Sequence, residues 1–104
     1  MTGPRLAVTF WKRAARQIES AAEWWRENRQ DSPDALSDEL VRTLELITVQ
    51  PGVGLPALNA RLSGVRRVLL PRVGYFLFYR VVTERQLVEI LAFWHAKRGS
   101  GPKL

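Results

Sequence analysis

Apolar residues recur through the first half of the chain at spacings of three and four. Trp11, Ala14, Ala15, Ile18, Ala21, Ala22 and Trp25 make one stripe, and Lys12, Arg13, Arg16, Glu19, Glu23 and Arg26 fill the remaining positions. That period predicts an amphipathic helix over residues 11–28, with Trp24 beside the stripe. A second stripe, Leu36, Leu40, Leu44 and Ile47, widened by Val41, predicts another helix. Ser32 reads as its N-cap, Pro33 as its first helical residue and Asp34 as a first-turn acid. Pro51-Gly52 stops it. Only a short polar break, residues 28–31, separates the two helices, so they are expected to fold back as an antiparallel hairpin.

The second half changes period. Residues 5–10 and 65–70 are short strand candidates, and 71–74 a turn. Tyr75 to Val82 is an apolar, aromatic and β-branched run, as a strand requires. Thr83, Glu84, Arg85 and Gln86 break it, and residues 87–94 form a second apolar run. A hairpin this apolar needs cover on at least one face, and the helices supply it. Alternation places Phe76, Phe78, Arg80 and Val82 on one face and Tyr75, Leu77, Tyr79 and Val81 on the other. Residues 51–64, with three glycines and two prolines, read as a loop. Their Gly52-x-Gly54 lacks both the following helix and the lysine of a phosphate cradle. The order β-α-α-β-β-β predicts an α+β fold: an antiparallel sheet with an N-terminal helical hairpin packed on one face. Residues 1–104 are expected to form a single domain, with 100–104 a loose tail.

Charge adds an asymmetry. Residues 1–60 carry a net charge of −1 and residues 61–104 a net of +7, within a total of +6. The basic character therefore belongs to the sheet half and points to an anionic partner, either a nucleic acid or an acidic protein. No cysteine is present, which removes disulfides, thiolate metal sites and a cysteine nucleophile, and is compatible with a reducing cytosol. No apolar run reaches the roughly 20 residues of a membrane span. The N-terminus lacks the unbroken apolar core of a signal peptide. A soluble, cytoplasmic protein is expected.

Several stretches together resemble the RelE/ParE toxins of bacterial type II toxin–antitoxin systems. They are the opening VTFWKRAARQIESAAEWW, the second helix running into a Pro-Gly loop in LVRTLELITVQPGVG, the strands of VRRVLLPRVGYFLFYRVV, and the closing ILAFWHAKR. The resemblance covers roughly residues 5–99. It implies a compact toxin neutralised by a small cognate antitoxin, which would wrap it with an amphipathic, acidic segment. RelE-like members cut messenger RNA on the ribosome, whereas ParE-like members poison DNA gyrase. RelE-like ribonucleases carry an arginine just after the Gly-Tyr that opens the central strand, and here Gly74-Tyr75 is followed by Phe76. Arg67 falls where a strand lysine would stand, and Lys97 or Arg98 near a C-terminal arginine. The closing aromatic, His95 and Lys97-Arg98 are more like the ParE branch.

The expectation is therefore a ParE-like toxin that binds gyrase and needs no covalent chemistry of its own. Its target or antitoxin contacts would be Arg66, Arg67, Arg72, Arg80, Trp94, His95, Lys97 and Arg98. The alternative is a ribosome-dependent endoribonuclease with Arg67, Arg80, His95 and Lys97 as its working residues. A third reading is a degenerate member that only binds its antitoxin and helps repress their operon. Cleavage through a 2′-hydroxyl needs a base, an acid and cations around the phosphate. Cations are plentiful, but His95 is the sole histidine. One histidine and no cysteine argue against a transition-metal site, and no cofactor is implied. Arg66 and Arg67, being adjacent on a strand, must point to opposite faces. Arg80, in mid-strand, needs a carboxylate or an exposed face. Trp11 and Trp25 read as core, Trp24 and Trp94 as interface candidates.

Overall fold

The computed structural model describes residues 5–99 and 101–104. Strand β1 (Ala7–Phe10) leads through Trp11, the extended N-cap residue, into α1 (Lys12–Asn28), and α2 (Ala35–Val49) follows. The chain continues through β2 (Leu55–Pro56), β3 (Arg66–Leu70), β4 (Tyr75–Val82) and β5 (Leu87–His95). The strands form one sheet in the order β1-β5-β4-β3-β2. The architecture is α+β, as the periodicities require, with two corrections. The sheet is mixed rather than antiparallel, because β1 pairs parallel to β5. The stretch 51–64 is not wholly loop, because Leu55 and Pro56 add a two-residue edge strand opposite Arg67 and Arg66.

The helix boundaries show what local signals miss. Asp34, not Ser32, stands at the N-cap of α2, and its side chain makes no capping bond. Ser32 instead belongs to the preceding turn, where its carbonyl accepts hydrogen bonds from the Trp25 indole at 2.9 Å and the Ala35 amide at 3.2 Å. Leu36, Leu40 and Ile47 are buried, but Val41 is 54% exposed and does not widen the packed stripe. The neighbouring Glu39 is buried and takes the Arg72 backbone N–H at 3.3 Å, fastening α2 to the β3–β4 turn.

Strands β4 and β5 occupy the centre of the sheet, which explains their apolar runs: the helices cover one face and a smaller cluster covers part of the other. On the helix side, Leu77, Tyr79, Val88, Ile90 and Phe93 pack with Ala14, Ala21, Leu36 and Ile47. On the other side, Phe78, Leu91, Ala92 and Val65 form a smaller cluster roofed by Ala57, Ala60, Leu62 and Leu104. Residues 101–104, expected to be loose, are therefore docked, while Ser100 lies outside the described residues. The Leu104 carbonyl accepts the Arg61 and Leu62 amides at 2.7 and 3.2 Å, and the Arg13 guanidinium donates to the Lys103 carbonyl at 2.9 Å.

A β-bulge divides the hairpin. Tyr79 faces Ile90 but Phe78 faces Ala92, leaving Leu91 as the extra residue. Before the bulge the even-numbered residues of β5, Val88 and Ile90, meet the helices. Beyond it the odd-numbered ones do, beginning with Phe93.

Tyr79 is fully buried, and its hydroxyl holds the loop after α2. It donates to the Pro51 carbonyl at 2.8 Å and accepts from the Gly54 amide at 2.9 Å. Burial pushes its pKa up, partly opposed by the Gly54 hydrogen bond. A Cβ on Gly54 would lie 2.7 Å from that hydroxyl and 2.8 Å from the Arg67 carbonyl, so glycine is demanded here by close approach. Tyr79→Phe should lower the unfolding free energy by about 1–3 kcal/mol, the cost of leaving buried backbone groups unpaired. Urea denaturation checks this, and a loss below experimental error would show that water replaces the hydroxyl.

Candidate functional site

On the face away from the helices, two rings lie side by side across the central strands. Phe76 of β4 is paired with Trp94 of β5. Each carries a guanidinium. Arg67 from β3 sits 4.4 Å from the Phe76 ring centroid, and Arg98 sits 4.1 Å from that of Trp94, whose indole N–H donates to the Arg98 carbonyl at 3.1 Å. Stacking on an aromatic face orients an arginine while leaving its N–H groups available to an anion. Phe76 stands where the ribonuclease resemblance would put an arginine. Here it supports one instead. Only the strand alternation of Phe76 is legible in the sequence, because the stacking is diagonal: Arg67 pairs with Phe78 across β3 and β4 and reaches over to Phe76.

Arg80 lies on the same face but is already engaged. Its Nε donates to Glu89 at 2.6 Å, with side chains 28% and 17% exposed. Trp11 adds an indole N–H at 3.4 Å to the other carboxylate oxygen. The Arg80 hydrogen bond, with a smaller contribution from Trp11, holds the Glu89 carboxyl below its usual range despite desolvation. Of the two alternatives for a mid-strand arginine, a carboxylate or an exposed face, the residue directly opposite on β5 supplies the carboxylate.

The remaining candidates are elsewhere. Arg66 turns to the helix side, as its adjacency to Arg67 demands, and donates to the Gly54 carbonyl at 2.6 Å, closing the loop that Tyr79 holds. His95 also faces the helices, because the Leu91 bulge has shifted the phase of β5. Its ring packs edge-on to Tyr75 at 5.0 Å, and its Nδ1 accepts the Lys97 amide at 3.1 Å. His95, Lys97 and Arg72 line a cleft of about 550 Å³ between the end of α1, the β3–β4 turn and the end of β5. The eight sequence-selected residues thus divide into a stacked pair on the open face (Arg67, and Arg98 with Trp94), an internal ion pair (Arg80), a loop clamp (Arg66) and a cleft group (Arg72, His95, Lys97). Trp24 and Trp25, at the end of α1, belong to that cleft as well. The sequence pattern separates them, Trp24 as an interface candidate and Trp25 as core.

Among the described residues no three His, Cys, Asp or Glu side chains gather as a metal site would need, and no helix is long and apolar enough to cross a membrane.

This arrangement of strands and helices has known counterparts. No curated protein matches the sequence significantly. The fold is similar to the chromosomal ParDE toxin–antitoxin system of P. aeruginosa, with a TM-score of 0.69 at 16% identity over 89% of this chain and 98% of that one. It is also similar to the RelBE2 toxin–antitoxin complex of Mycobacterium tuberculosis, with a TM-score of 0.64 at 25% identity over 88% and 99% of the two chains. A free-state mutant of the E. coli toxin RelE gives a TM-score of 0.64 at 18% identity over 92% and 88%. The family model described as the ParE toxin of the type II toxin–antitoxin system parDE matches residues 8–99. The chain belongs to the ParE toxin family of type II toxin–antitoxin systems, within the RelE/ParE superfamily.

Proposed function

We propose that this toxin acts in the cytoplasm by binding DNA gyrase and blocking its cycle, without covalent chemistry of its own, and that a cognate antitoxin neutralises it. One observation carries the reading against a ribonuclease: the groups needed for RNA cleavage are on opposite faces of the sheet. His95, the sole histidine, is on the helix side, whereas Arg67 and Arg80 are on the open side. Glu89 does share the open face with them. Its carboxyl is occupied by Arg80 and Trp11 and held in its ionised form by a lowered pKa, which makes it a weak base. A base and its charge-stabilising cations must lie within hydrogen-bond reach of one phosphodiester, and these do not converge. What the open face does offer is a row of rings and guanidinium groups, the composition that concentrates binding energy at protein interfaces.

An antitoxin partner is supported by the relatives, since the P. aeruginosa ParDE and M. tuberculosis RelBE2 structures are of toxin–antitoxin systems. Apolar side chains stay exposed at the end of α2, in the following loop and on β2: Leu46, Val49, Val53 and Leu55. An amphipathic acidic segment would bury them while its carboxylates answer the basic sheet half.

The test uses purified, antitoxin-free protein in a gyrase supercoiling assay beside a ribosome-bound mRNA cleavage assay. Supercoiling should be inhibited and mRNA left intact. Cleavage of mRNA with gyrase unaffected would assign the ribonuclease reading instead, and Arg67→Ala should then abolish the cleavage.

A further inference from the structure

The cleft at the end of α1 lies on the helix side of the sheet, away from the open-face rings and guanidinium groups on which the gyrase reading rests. Its walls present the Trp24 and Trp25 indoles, the Tyr75 phenol and the His95 imidazole, with Arg29, Arg72 and Lys97 among them and no carboxylate. A second cleft of about 380 Å³ shares Trp24, Tyr75 and His95 and adds Arg16 and Arg98, again without a carboxylate. In a chain carrying ten acidic residues, two joined clefts lined by five cations and no acid make a strongly one-signed site.

The rings are differently available. Tyr75 is stacked face to face on Phe93 at 4.6 Å, so that face is taken. Trp25 has the Arg29 guanidinium 5.6 Å from its centroid, and its indole N–H is bound to the Ser32 carbonyl. Trp24 is tilted against Trp25 and is 48% exposed, with no hydrogen bond to its indole nitrogen among the described residues. It is the free flat surface of the site. Among the described residues, neither the Arg72 guanidinium nor the Lys97 ammonium has a hydrogen-bond or ion-pair partner. Burying a large part of an exposed indole against a planar ring, with unpaired cations lining the same cleft, suits a ligand that is flat at one end and anionic at the other. Pockets for such small molecules commonly span about 300–1,000 Å³, which includes this one.

We propose that this cleft is a binding site for a nucleotide, its base stacked on Trp24 and its phosphate held by Arg72 and Lys97. A free nucleoside phosphate and a nucleotide within a single strand present the same chemistry, and the experiment separates them. The inference rests on the cleft alone and not on the gyrase reading. Loss of nucleotide binding with gyrase inhibition retained would defeat this proposal and leave that one standing.

The four tryptophans give four indole N–H signals in the NMR spectrum of the full-length, isotope-labelled protein. Titration with adenosine monophosphate should shift those of Trp24 and Trp25 saturably and leave that of Trp11, bound to Glu89, in place. Adenosine and inorganic phosphate, each supplying half of the ligand, should bind at least about tenfold more weakly, because each forfeits one of the two contacts. A short oligoadenylate binding more tightly than the mononucleotide would identify a single strand as the ligand, and the reverse order a free nucleotide. Trp24→Leu should weaken binding about tenfold through the lost stack. Arg72→Gln with Lys97→Gln should reduce the mononucleotide to the affinity of adenosine. These positions are at the surface, and thermal unfolding of each variant confirms that it is folded. The proposal is overturned if no indole shifts, if Trp24→Leu binds as well as the parent (the outcome for unspecific attraction to a basic protein), or if an oligoglutamate peptide produces the same shifts with equal affinity.

Discussion

Trp94→Ala is expected, on the proposed gyrase reading, to weaken supercoiling inhibition by about 30-fold, corresponding to about 2 kcal/mol, the scale of an interfacial tryptophan at a binding hot spot. Two losses combine in that figure. The indole itself disappears from the open face, and with it goes the platform that orients the Arg98 guanidinium 4.1 Å from its ring centroid. Arg98→Gln separates them, since it removes the charge and keeps the ring, and should cost less. Phe76→Leu makes the corresponding change under Arg67, removing a stacking surface while preserving apolar volume. The measurement is the toxin concentration that halves supercoiling, read beside the urea midpoint of each variant. Inhibition that declines only in proportion to the folded fraction would show that Trp94 and Arg98 hold the end of β5 and do not touch the target.

Arg80→Ala should produce the largest loss of stability among the charged substitutions, about 2–3 kcal/mol. That range lies between the near-zero worth of an exposed pair and the cost of orphaning a deeply buried charge, as befits side chains 28% and 17% exposed. Glu89, left without its guanidinium, would retain only the 3.4 Å indole contact from Trp11. The pH dependence gives the sign. In the parent protein the folded-state carboxyl of Glu89 is held below its ordinary value, chiefly by the Arg80 hydrogen bond. The stabilisation is therefore complete above the unfolded carboxyl's pKa, about 4.3, and is lost as pH falls through the lower folded-state value. Arg80→Ala should flatten that acid limb. The pair Arg80→Met with Glu89→Leu, which removes both charges, should recover much of the loss, as buried ion pairs replaced by apolar groups often do. Urea unfolding followed from neutral pH down to below the unfolded carboxyl's pKa of about 4.3 checks both points. A variant whose stability keeps the parent's acid slope would mean that another carboxylate carries it.

The same ion pair limits what the open face can do. The Arg80 charge is already balanced by Glu89 at 2.6 Å, so the uncompensated charge of that group is Arg67 and Arg98. The rings beneath them, Phe76 and Trp94, are neighbours only because β4 and β5 pair in the observed register.

The two helices, the β4–β5 hairpin and the two faces of β4 were all legible in the sequence, because each rests on a period that a few neighbouring residues set. Spacings of three and four bury Ala14, Ala21, Leu36 and Ile47, and strict alternation sends Leu77 and Tyr79 to one side and Phe76 and Phe78 to the other. That Arg80 needs either a carboxylate or an exposed face was legible too, as was the divergence of Arg66 and Arg67. Tertiary structure alone decided the rest. The parallel seating of β1 beside β5 and the docking of Leu104 over Phe78 depend on partners about 80 and 26 positions away, which no local pattern names. The bulge at Leu91 is the most consequential of these. An unbroken alternation would have put His95 on the same side as Arg67, within the group that a ribonuclease needs. One extra residue lets Leu91 and Ala92 fill the open-face cluster while Phe93 returns to the helices, and that repacking carries His95 to the far side of the sheet. Period is a local property of the chain, but register is settled only when both faces of a strand are packed at once.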